Sequence, residues 1–495
     1  MGKFWRPGSY PFTVPPEDSD LCRIFTREEL LEDLQYMVDT CIEVHPNLFF
    51  SLSREELDAQ IEQLRGSLTV PLTRLEFYRK IAPIVARFND GHTMVPVPNE
   101  EYQKSDETGS VRFPFSVTCS AKAITLCDTP LDAFKSYLGK ELVGINGEPV
   151  DEILDEMLSM MTGERIEFKC SCIPMVFAKL LFVLRGGAES YSLKVFDGDF
   201  SETVSVPGVS REQSLMISSV SIDKSTKPYS CELLEDLDCA VLSLLRCEDE
   251  ERFKEFCAEL FSLLNRKKVG RLLIDLRHNG GGSAAIGDEL CAYLTEKPVY
   301  QFTGMEMKIS RQVKEFYTAQ FRDKARFPLN RVPLSLMILL FPPFWKKAGG
   351  MYKVDVPKQK PLKRTPHFDG RVYAVTSQFT YSAAASLAAM IKAHNLGVLI
   401  GEPTGGNASS YGDVFSFSLP NTKLRCGVSH KFYIGPDGSR KPEPTTPDLD
   451  TRDSGIDLNS SGAIRNILEL IEAYETKKTI STEPQHEPDA CNGVG

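Results

Sequence analysis

Two short stretches of the sequence hold residues whose types and spacing could do chemistry. The first, LLIDLRHNGGG (272–282), is an apolar strand pattern that runs into three consecutive glycines. Glycines leave main-chain N–H groups uncovered, in conformations that other residues reach only with strain. The loop could therefore be a tight turn, a phosphate cradle or an oxyanion hole. The phosphate interpretation is disfavoured, because Ser-Ala-Ala follows the glycines in place of the Lys-Ser/Thr pair of a phosphate loop.

The second stretch is VYAVTSQFTYSAAAS (372–386), whose pattern predicts a strand, a turn and a helix. Ser382 would lie where that helix begins, and its hydroxyl could cap the helix. Alternatively, the hydroxyl could project into a cleft as a nucleophile, with the N–H of Ala383 close to the oxygen of the attacked group. Local pattern favours the cap, and it does not choose between Ser382 and Ser386 as a nucleophile.

The elements that must position these stretches divide the sequence into four regions. We predict an N-terminal helical domain (1–109) that ends in the loop FNDGHTM, a β-rich module (110–212), a core (213–478) and a disordered polar tail (479–495). In the core, strand and helix patterns alternate, which favours a sheet covered by helices. An irregular stretch within the core contains the apolar run LSLMILLFPPFW (334–345), which could be a lid, a peptide-binding surface or a buried helix.

Composition and charge exclude several classes of function. Hydrophobic residues at 42% and charged residues at 25% are ordinary for a folded, soluble, multi-domain chain. The net charge is −11 and no basic run interleaves with aromatics, so we expect no nucleic-acid partner. No apolar run could span a bilayer and MGKFWRPGSYPF lacks the core of a secretory signal, so a cytoplasmic location is expected. The thirteen cysteines are scattered and CxxC and HExxH are absent, so no metal site is expected.

Five motifs in a fixed order resemble the tail-specific or C-terminal processing serine peptidases. DLRHNGGG, the Ser-Ala-Ala-Ala stretch and GEPTGG are similar to the core of that family, and the resemblance extends to DGHT (90–93) and LVGINGEPV (142–150). It implies an α/β fold with a crotonase/Clp-protease-like core of stacked ββα units, and a degraded PDZ-like module around LVGINGEPV. It also implies hydrolysis of peptide or protein substrates through an acyl-enzyme, without a metal or organic cofactor. The oligomeric state is not indicated.

Carried over by position, the resemblance assigns the nucleophile and the oxyanion donors. Ser382 takes the nucleophile's place, whereas Ser386 does not match it. The oxyanion donors are the N–H of Ala383 and one N–H from the pair Gly280 and Gly281.

One departure from the family pattern concerns the general base. In the bacterial enzymes the base is a lysine in a loop written GEPTFGKG, whereas this chain reads GEPTGGNAS and has Asn407 at that place. An amide has no basic lone pair, so Asn407 could position a substrate but could not accept the serine proton. The resemblance also implies that this loop borders the substrate through Gly405, Gly406, Asn407 and Tyr411.

The replacement base is expected among the seven histidines. His92, in DGHT, aligns with the histidine of the tricorn-type branch, whose triad resembles Ser, His and Glu. A neutral imidazole with a pKa of ~6.5 suits proton abstraction near neutral pH. The alternative is a structural histidine in a loop. His45, which precedes a proline where a helix ends, is set aside.

The third member of such a triad is a carboxylate that orients the imidazole. YIGPDGSRKPEPTTPDLDT is similar to the family strand that carries this acid, which makes Glu443 the first candidate, Asp448 the second and Asp413 the third. Two other functions remain open: a catalytically silent ligand- or peptide-binding protein on the same fold, and a hydrolase of small esters or amides. The distance from His92 to Ser382 discriminates the first of these, since proton transfer needs a contact of ~2.6–3.2 Å.

Overall fold

The computed structural model describes residues 13–105, 109, 111–120, 123–217, 226–326, 338–355, 364–460 and 462–482. Three segments of interest lie outside the described residues: the stretch MGKFWRPGSYPF, the first four residues of LSLMILLFPPFW, and residues 483–495 of the predicted tail. The last described helix runs to Thr482, so it includes the first residues of that tail. No helix in the described ranges is both long and apolar enough to cross a bilayer.

The N-terminal part is helical, as predicted. Its elements are α1 (Asp18–Leu21), β1 (Ile24–Phe25), α2 (Arg27–Val44), α3 (Arg54–Ser67), β2 (Leu72–Thr73), α4 (Arg74–Ala86) and α5 (Glu100–Lys104). Thr26, Ser53 and Thr73 are the N-caps of α2, α3 and α4, and each accepts the backbone N–H of the glutamate three residues later. These capping boxes satisfy N–H groups that the first helical turn leaves unpaired, which explains where the helices begin.

The next part combines an antiparallel sheet with a long helix that the strand-like pattern did not predict. Its elements are β3 (Ser116–Cys119), β4 (Ile124–Asp128), β5 (Glu141–Ile145), β6 (Glu148–Pro149), α6 (Val150–Met160), α7 (Ile166–Arg185), β7 (Ser190–Phe196), β8 (Ser201–Pro207) and α8 (Arg211–Met216). The strand order is β3-β4-β5-β7-β8, with β6 paired to β5. α7 is apolar on several sides and contains Pro174, and both features hide helical periodicity in its sequence.

A six-stranded sheet forms the centre of the third part. Its elements are β9 (Tyr229–Leu234), β10 (Cys239–Leu244), α9 (Glu250–Lys267), β11 (Arg271–Asp275), α10 (Ala285–Cys291), β14 (Arg371–Thr376), α12 (Ala383–Ala393), β15 (Val398–Gly401), β18 (Leu449–Asp450) and α13 (Ala463–Thr482). The order is β18-β15-β14-β11-β10-β9, parallel except for β9. Neighbouring parallel strands end at the same edge, so the glycine loop after β11 and the serine loop after β14 lie side by side.

The described residues between β11 and β14 include regular strands and helices, which corrects the prediction of an irregular stretch. They contain β12 (Gly304–Lys308), α11 (Arg311–Arg326) and β13 (Met351–Asp355). The two strands join β16 (Ser410–Ser418) and β17 (Arg425–Ile434) in a second, antiparallel sheet of order β13-β12-β17-β16. Within the described part of LSLMILLFPPFW, Leu339, Leu340 and Trp345 are 54%, 69% and 67% exposed, so these residues are not a buried helix.

One hydrophobic core joins the N-terminal helices, the β-rich part and the second sheet, and it contains Leu34, Phe77, Phe177 and Phe415. The DGHT loop is held against β17 by a pair of backbone hydrogen bonds between Met94 and Gly427, 2.9 and 2.8 Å long. This shared core and this bridge carry a loop from the N-terminal helices to the edge where β11 and β14 end. The described residues therefore form a mixed α/β fold with several sheets.

Candidate active site

The serine that begins α12 has a strained main chain. Ser382 adopts φ 52° and ψ −125°, a conformation that non-glycine residues rarely take. Its side chain makes no capping hydrogen bond to the helix. The capping role that local pattern favoured is therefore wrong. The geometry is that of a sharp strand-to-helix turn that presents a hydroxyl away from the helix.

Two glycines permit this turn by approaching it closely. A Cβ built at Gly281, where φ is +106°, would lie 2.6 Å from the Cβ of Ser382. A Cβ at Gly406 would lie 3.0 Å from the backbone nitrogen of Ser382. Any larger residue at Gly281 would displace the serine, so the glycine motifs and the serine motif form one unit.

The strain at Ser382 leads to a stability prediction. Because glycine takes a positive φ without steric cost, Ser382→Gly should be more stable than Ser382→Ala by about 1 kcal/mol. Thermal unfolding of the two variants checks this, since neither retains the hydroxyl. Equal midpoints, or a lower one for the glycine variant, would contradict a strained turn.

His92 lies beside this serine. Its Nε2 is 3.0 Å from the Oγ of Ser382, within the range for direct proton transfer. The backbone N–H of His92 donates to Oδ1 of Asp90 at 3.0 Å, which fixes the loop around the imidazole. The side chain of His92 is 16% exposed, so the pair is accessible but largely shielded from water.

The environment of His92 favours the neutral imidazole. Burial lowers its pKa below the ordinary 6.5, and the negative charges of Asp90 and Asp413 oppose this without cancelling it. When Nε2 accepts the serine proton, Nδ1 carries the ring hydrogen, a tautomer assigned from this contact. Nδ1 makes no hydrogen bond of normal geometry within the described chain, but it faces Asp90 Oδ1 at 3.9 Å and the main chain of Tyr411.

Asp90 is a fully buried carboxylate with a second histidine behind it. Its Oδ2 accepts the hydroxyl of Thr93 at 2.5 Å and lies 3.3 Å from Nε2 of His45. Nδ1 of His45 accepts the N–H of Asn47 at 3.1 Å, so in a neutral ring the hydrogen is on Nε2 and faces Asp90. Burial opposes ionisation of Asp90, but the hydrogen bond from His45 and the nearby imidazoles outweigh it and hold its pKa below the usual range. His45, which sequence reasoning set aside, thus lies behind the DGHT loop.

Glu443 does not face His92, contrary to the prediction. Its side chain is exposed, and in the described structure it makes no contact with the imidazole. The local chain is held by its backbone, because the carbonyl of Glu443 accepts the N–H of Ala408 at 3.0 Å and Pro444 pairs with Asn407. This pairing turns the glutamate side chain towards solvent.

The other two acid candidates have partners of their own. Asp448 pairs with Lys392 at 3.2 Å and accepts the N–H of Leu399 at 2.8 Å, so it does not orient His92 either. Asp413 pairs with Lys431 and contributes only a charge that raises the pKa of His92. The buried carboxylate of Asp90, which the sequence prediction did not include, lies 3.9 Å from Nδ1 of His92.

The predicted oxyanion donors differ in whether their N–H groups are available, because Asn279, which was not predicted, accepts one of them. The N–H groups of Ala383 and Gly280 have no acceptor among the described residues. The N–H of Gly281 instead donates to Oδ1 of Asn279 at 2.8 Å, so its predicted role as a donor is wrong. Asn279 is fully buried, and its Nδ2 donates to the carbonyl of Leu244 at 2.8 Å. The polar residue directly before the glycine run was the available signal for this support.

The loop GEPTGGNAS packs under the serine turn. A Cβ at Gly405 would lie 2.0 Å from the carbonyl oxygen of Gln378, and the N–H of Gly406 donates to the carbonyl of Thr380 at 3.0 Å. Asn407 is 3% exposed, and its Oδ1 has no partner in the part of the chain described. The ring of Tyr411 lies 4.4 Å from that of His45, so it packs behind Asp90. The predicted substrate contacts of these four residues remain predictions.

The neighbouring serine has a structural role. Ser386 is 4% exposed, and its hydroxyl donates to the carbonyl of Ser382 at 3.2 Å within the helix. Of the two serines, it is Ser382 that contacts the imidazole of His92.

Comparison with known proteins finds one family match and several solved structures of similar fold. Residues 238–451 match the model of peptidase family S41. No curated protein matches the chain in sequence. Mature CPAF complexed with lactacystin has 14% identity and a TM-score of 0.62, covering 91% of this chain and 98% of that one. Mature CPAF itself has 14% identity and a TM-score of 0.60, covering 92% and 99%.

The tricorn protease is much less similar. Its crystal structure has 12% identity and a TM-score of 0.34, covering 90% of this chain and 37% of that one, which does not place the chain in its branch. The matched residues contain the glycine loop, the serine turn and the loop GEPTGGNAS. Residues 238–451 therefore resemble a peptidase family S41 domain, and the chain that carries them is a serine-type peptidase.

Proposed function

We propose that this peptidase hydrolyses peptide bonds in peptide or protein substrates through an acyl-enzyme, with Ser382 as nucleophile and His92 as general base. The contact of 3.0 Å between Nε2 of His92 and Oγ of Ser382 carries the proposal. A weakly basic group within hydrogen-bond reach is what a serine hydroxyl needs to attack a carbonyl at neutral pH.

In the first step, Oγ of Ser382 attacks the scissile carbonyl carbon while its proton moves to Nε2 of His92. The carbonyl oxygen becomes an oxyanion, and the N–H groups of Ala383 and Gly280 stabilise its charge. Such preorganised donors contribute on the order of 3–4 kcal/mol each to lowering the barrier. The carboxylate of Asp90 stabilises the imidazolium that forms, because it faces the other ring nitrogen.

In the second step, the imidazolium returns its proton to the leaving amine, the C–N bond breaks and an ester to Ser382 remains. Water then takes the place of the amine. His92 removes a proton from that water, the ester is cleaved, and the serine proton is restored. Each proton passes through the same ring nitrogen, so a single imidazole serves both steps.

We propose Asp90, in place of a glutamate, as the carboxylate that supports the imidazole. The Ser/His/Glu triad implied by resemblance lacks support at Glu443, which is exposed. Asp90 is buried, close to Nδ1 and held by His45 and Thr93. The use of a histidine base is still closer to the tricorn-type branch than to the Ser/Lys branch, since Asn407 stands in place of the lysine.

We also propose that the fold contains a crotonase-like core and a PDZ-like module. The parallel sheet with α9, α10 and α12 on one side supports a crotonase-like core. The small antiparallel sheet with α6 and α7 supports a PDZ-like module.

A silent binding protein on the same fold is the alternative, and two observations disfavour it. A binding protein has no need of a serine held in strained backbone geometry, since such strain concentrates at functional sites. Nor does it need an imidazole at proton-transfer distance from that serine.

Hydrolysis in ¹⁸O-labelled water tests the function directly. A mixture of peptides of known sequence, incubated with the protein, should yield fragments whose new carboxyl termini carry the label, and Ser382→Ala should yield none. Cleavage of p-nitrophenyl acetate without any peptide fragments would instead support the hydrolase of small esters. Absence of both reactions would support the silent binding protein.

The lowered pKa of His92 predicts the acid side of the pH profile. Hydrolysis requires the neutral ring, and a lowered pKa keeps the ring neutral to lower pH. The rate should therefore be retained below pH 6.5 and fall only as the pH passes down through the lowered pKa. Asp90→Asn should move this fall to still lower pH, because the charge of Asp90 raises the pKa of His92.

Glu443→Gln is the matched control for that measurement. Kcat/KM against pH, recorded for the wild type and both variants, should show the shift for Asp90→Asn alone. A shift in Glu443→Gln with none in Asp90→Asn would restore the glutamate as the supporting acid.

A further inference from the structure

A carboxyl group from the β-rich part of the chain touches the residue next to the nucleophile. Glu164 lies between α6 and α7, and its two oxygens are 2.9 and 3.0 Å from the hydroxyl of Tyr381, which donates to them. Tyr381 directly precedes Ser382 and is 6% exposed. Neither residue was predicted from the sequence as part of the site.

The ring of Tyr381 is fixed on every side that the structure describes. It stacks on Phe168 with ring centroids 4.1 Å apart and lies 5.1 Å from the ring of His92. A Cβ at Gly91 would lie 2.3 Å from the tyrosine hydroxyl, so the loop that carries His92 rests directly on Tyr381. The side chain of Tyr381 thus sets the spacing between His92 and Ser382, because it belongs to the serine turn and contacts the loop that carries His92.

A second contact from the same segment holds the two loops beneath the serine. Nη2 of Arg165 donates to Oε1 of Gln378 at 2.8 Å and to the carbonyl of Thr404 at 2.7 Å. The segment around Glu164 therefore contacts both the serine turn and the loop GEPTGGNAS. Moving this segment would move the groups that align Ser382.

Burial and the neighbouring charges determine the protonation of Glu164. Burial raises the pKa of Glu164 to about 8, and the charge of Asp90 acts in the same direction, against hydrogen bonds from Tyr381 and the Gly91 backbone. The cations nearby are Arg165 and Lys169, on its own segment and helix. At neutral pH the group is an uncharged acid, so it holds Tyr381 without adding a second negative charge beside Asp90.

We propose that Glu164 is a positioning residue that aligns His92 with Ser382 through Tyr381. The proposal rests on the proposed function, since it concerns the same pair. Ionisation of Glu164 would place a second negative charge beside Asp90, and the repulsion between the two carboxylates would disturb the alignment that Tyr381 maintains. The β-rich part of the chain is then a component of the active site.

The test is the second-order rate of labelling by a fluorophosphonate between pH 6 and 9.5. Glu164→Gln keeps an oxygen acceptor for Tyr381 and stays neutral, so at pH 7 it should label within about twofold of the wild type. Above pH 8 the wild type should slow and Glu164→Gln should not, because only the wild type ionises there. Glu164→Ala and Tyr381→Phe should each slow labelling at pH 7 by roughly ten- to a hundredfold, as expected for misplaced reacting groups.

Two controls separate positioning from a general loss of structure. Glu167→Gln changes an exposed carboxylate three residues away and should match the wild type at every pH. The double variant Glu164→Ala/Tyr381→Phe should be no slower than either single variant, because both remove one interaction. Additive losses would indicate independent structural damage and would overturn the proposal.

The outcomes distinguish this proposal from the function on which it rests. A wild type that is not labelled at Ser382 refutes the proposed function, and the role of Glu164 is refuted with it. Labelling of Ser382 at an unchanged rate in Glu164→Ala refutes only the positioning role. Loss of rate above pH 8 in Glu164→Gln as well as in the wild type also refutes it, since the ionising group would then lie elsewhere.

Discussion

His92→Ala is expected to reduce peptide hydrolysis by about 10⁴-fold or more, with little change in KM. The imidazole is the proposed general base, and its Nε2 lies 3.0 Å from Oγ of Ser382. Loss of the base or the nucleophile of such a unit removes most of its rate enhancement. No lysine at position 407 can replace it, since that residue is Asn407. Initial rates on a cleaved peptide at saturating and limiting concentrations measure both constants.

His394→Ala is the matched control for that variant. His394 caps the C-terminal end of α12, where its Nε2 accepts the N–H of Tyr300 at 3.2 Å, at the opposite end of the helix from Ser382. Its removal should leave kcat within a few-fold of the wild type. Equal losses in the two variants would mean that His92 acts on folding and not on chemistry.

Ser382→Ala is expected to reduce hydrolysis relative to the wild type by on the order of 10⁶-fold, because the covalent step is lost. This loss should be at least as large as that of His92→Ala. The double variant Ser382→Ala/His92→Ala should be no slower than Ser382→Ala alone. An imidazole without its nucleophile contributes nothing further, so the two losses do not add. Residual hydrolysis measured at high enzyme concentration, with the wild type diluted for comparison, tests this relation.

Ser386→Ala controls for the serine variant. Its hydroxyl bonds within α12 and is buried, so its removal should leave activity unchanged within a few-fold. For the double variant Ser382→Ala/His92→Ala, losses that multiply would indicate that the serine and the histidine act separately. That result would contradict a shared proton-transfer unit.

The sequence predicted that Ser382 and His92 act together, and the structure places them in contact, but the sequence did not predict that Asp90 lies beside the imidazole. Ser382 and His92 are in motifs whose order and residue types carry the information, and the missing lysine at Asn407 directed attention to the histidine. The acid is different, because its role depends on which way a loop turns. Backbone pairing of Pro444 with Asn407 leaves Glu443 exposed, and no local pattern reports such a pairing.

The supporting residues were hidden for a similar reason. Asn279 accepts the N–H of Gly281 two residues later, and Tyr381 contacts the histidine loop, which is distant in the sequence. From the sequence, His45 was interpreted as a residue at the end of a helix. Only the structure shows that its side chain is buried and lies 3.3 Å from the carboxylate of Asp90. Residue type identifies groups that react, whereas the groups that hold them are identified by contacts.

The fold was predicted best where periodicity was strong. The helices α2, α3 and α4 have capping boxes and regular apolar spacing, and they lie where the pattern placed them. In contrast, α7 is apolar on several sides and α11 lies within the stretch that was interpreted as irregular. Both were missed, and α7 belongs to the segment that contacts the serine turn.

The most direct test is to identify the residue that a fluorophosphonate modifies. The reagent forms a stable bond only with a serine whose proton is removed, so it reports the pair and not the serine alone. Mass spectrometry should find the adduct on Ser382 in the wild type, no adduct in Ser382→Ala, and labelling slowed by orders of magnitude in His92→Ala. An adduct on another residue, or equal rates in all three proteins, would contradict a serine peptidase built on Ser382 and His92.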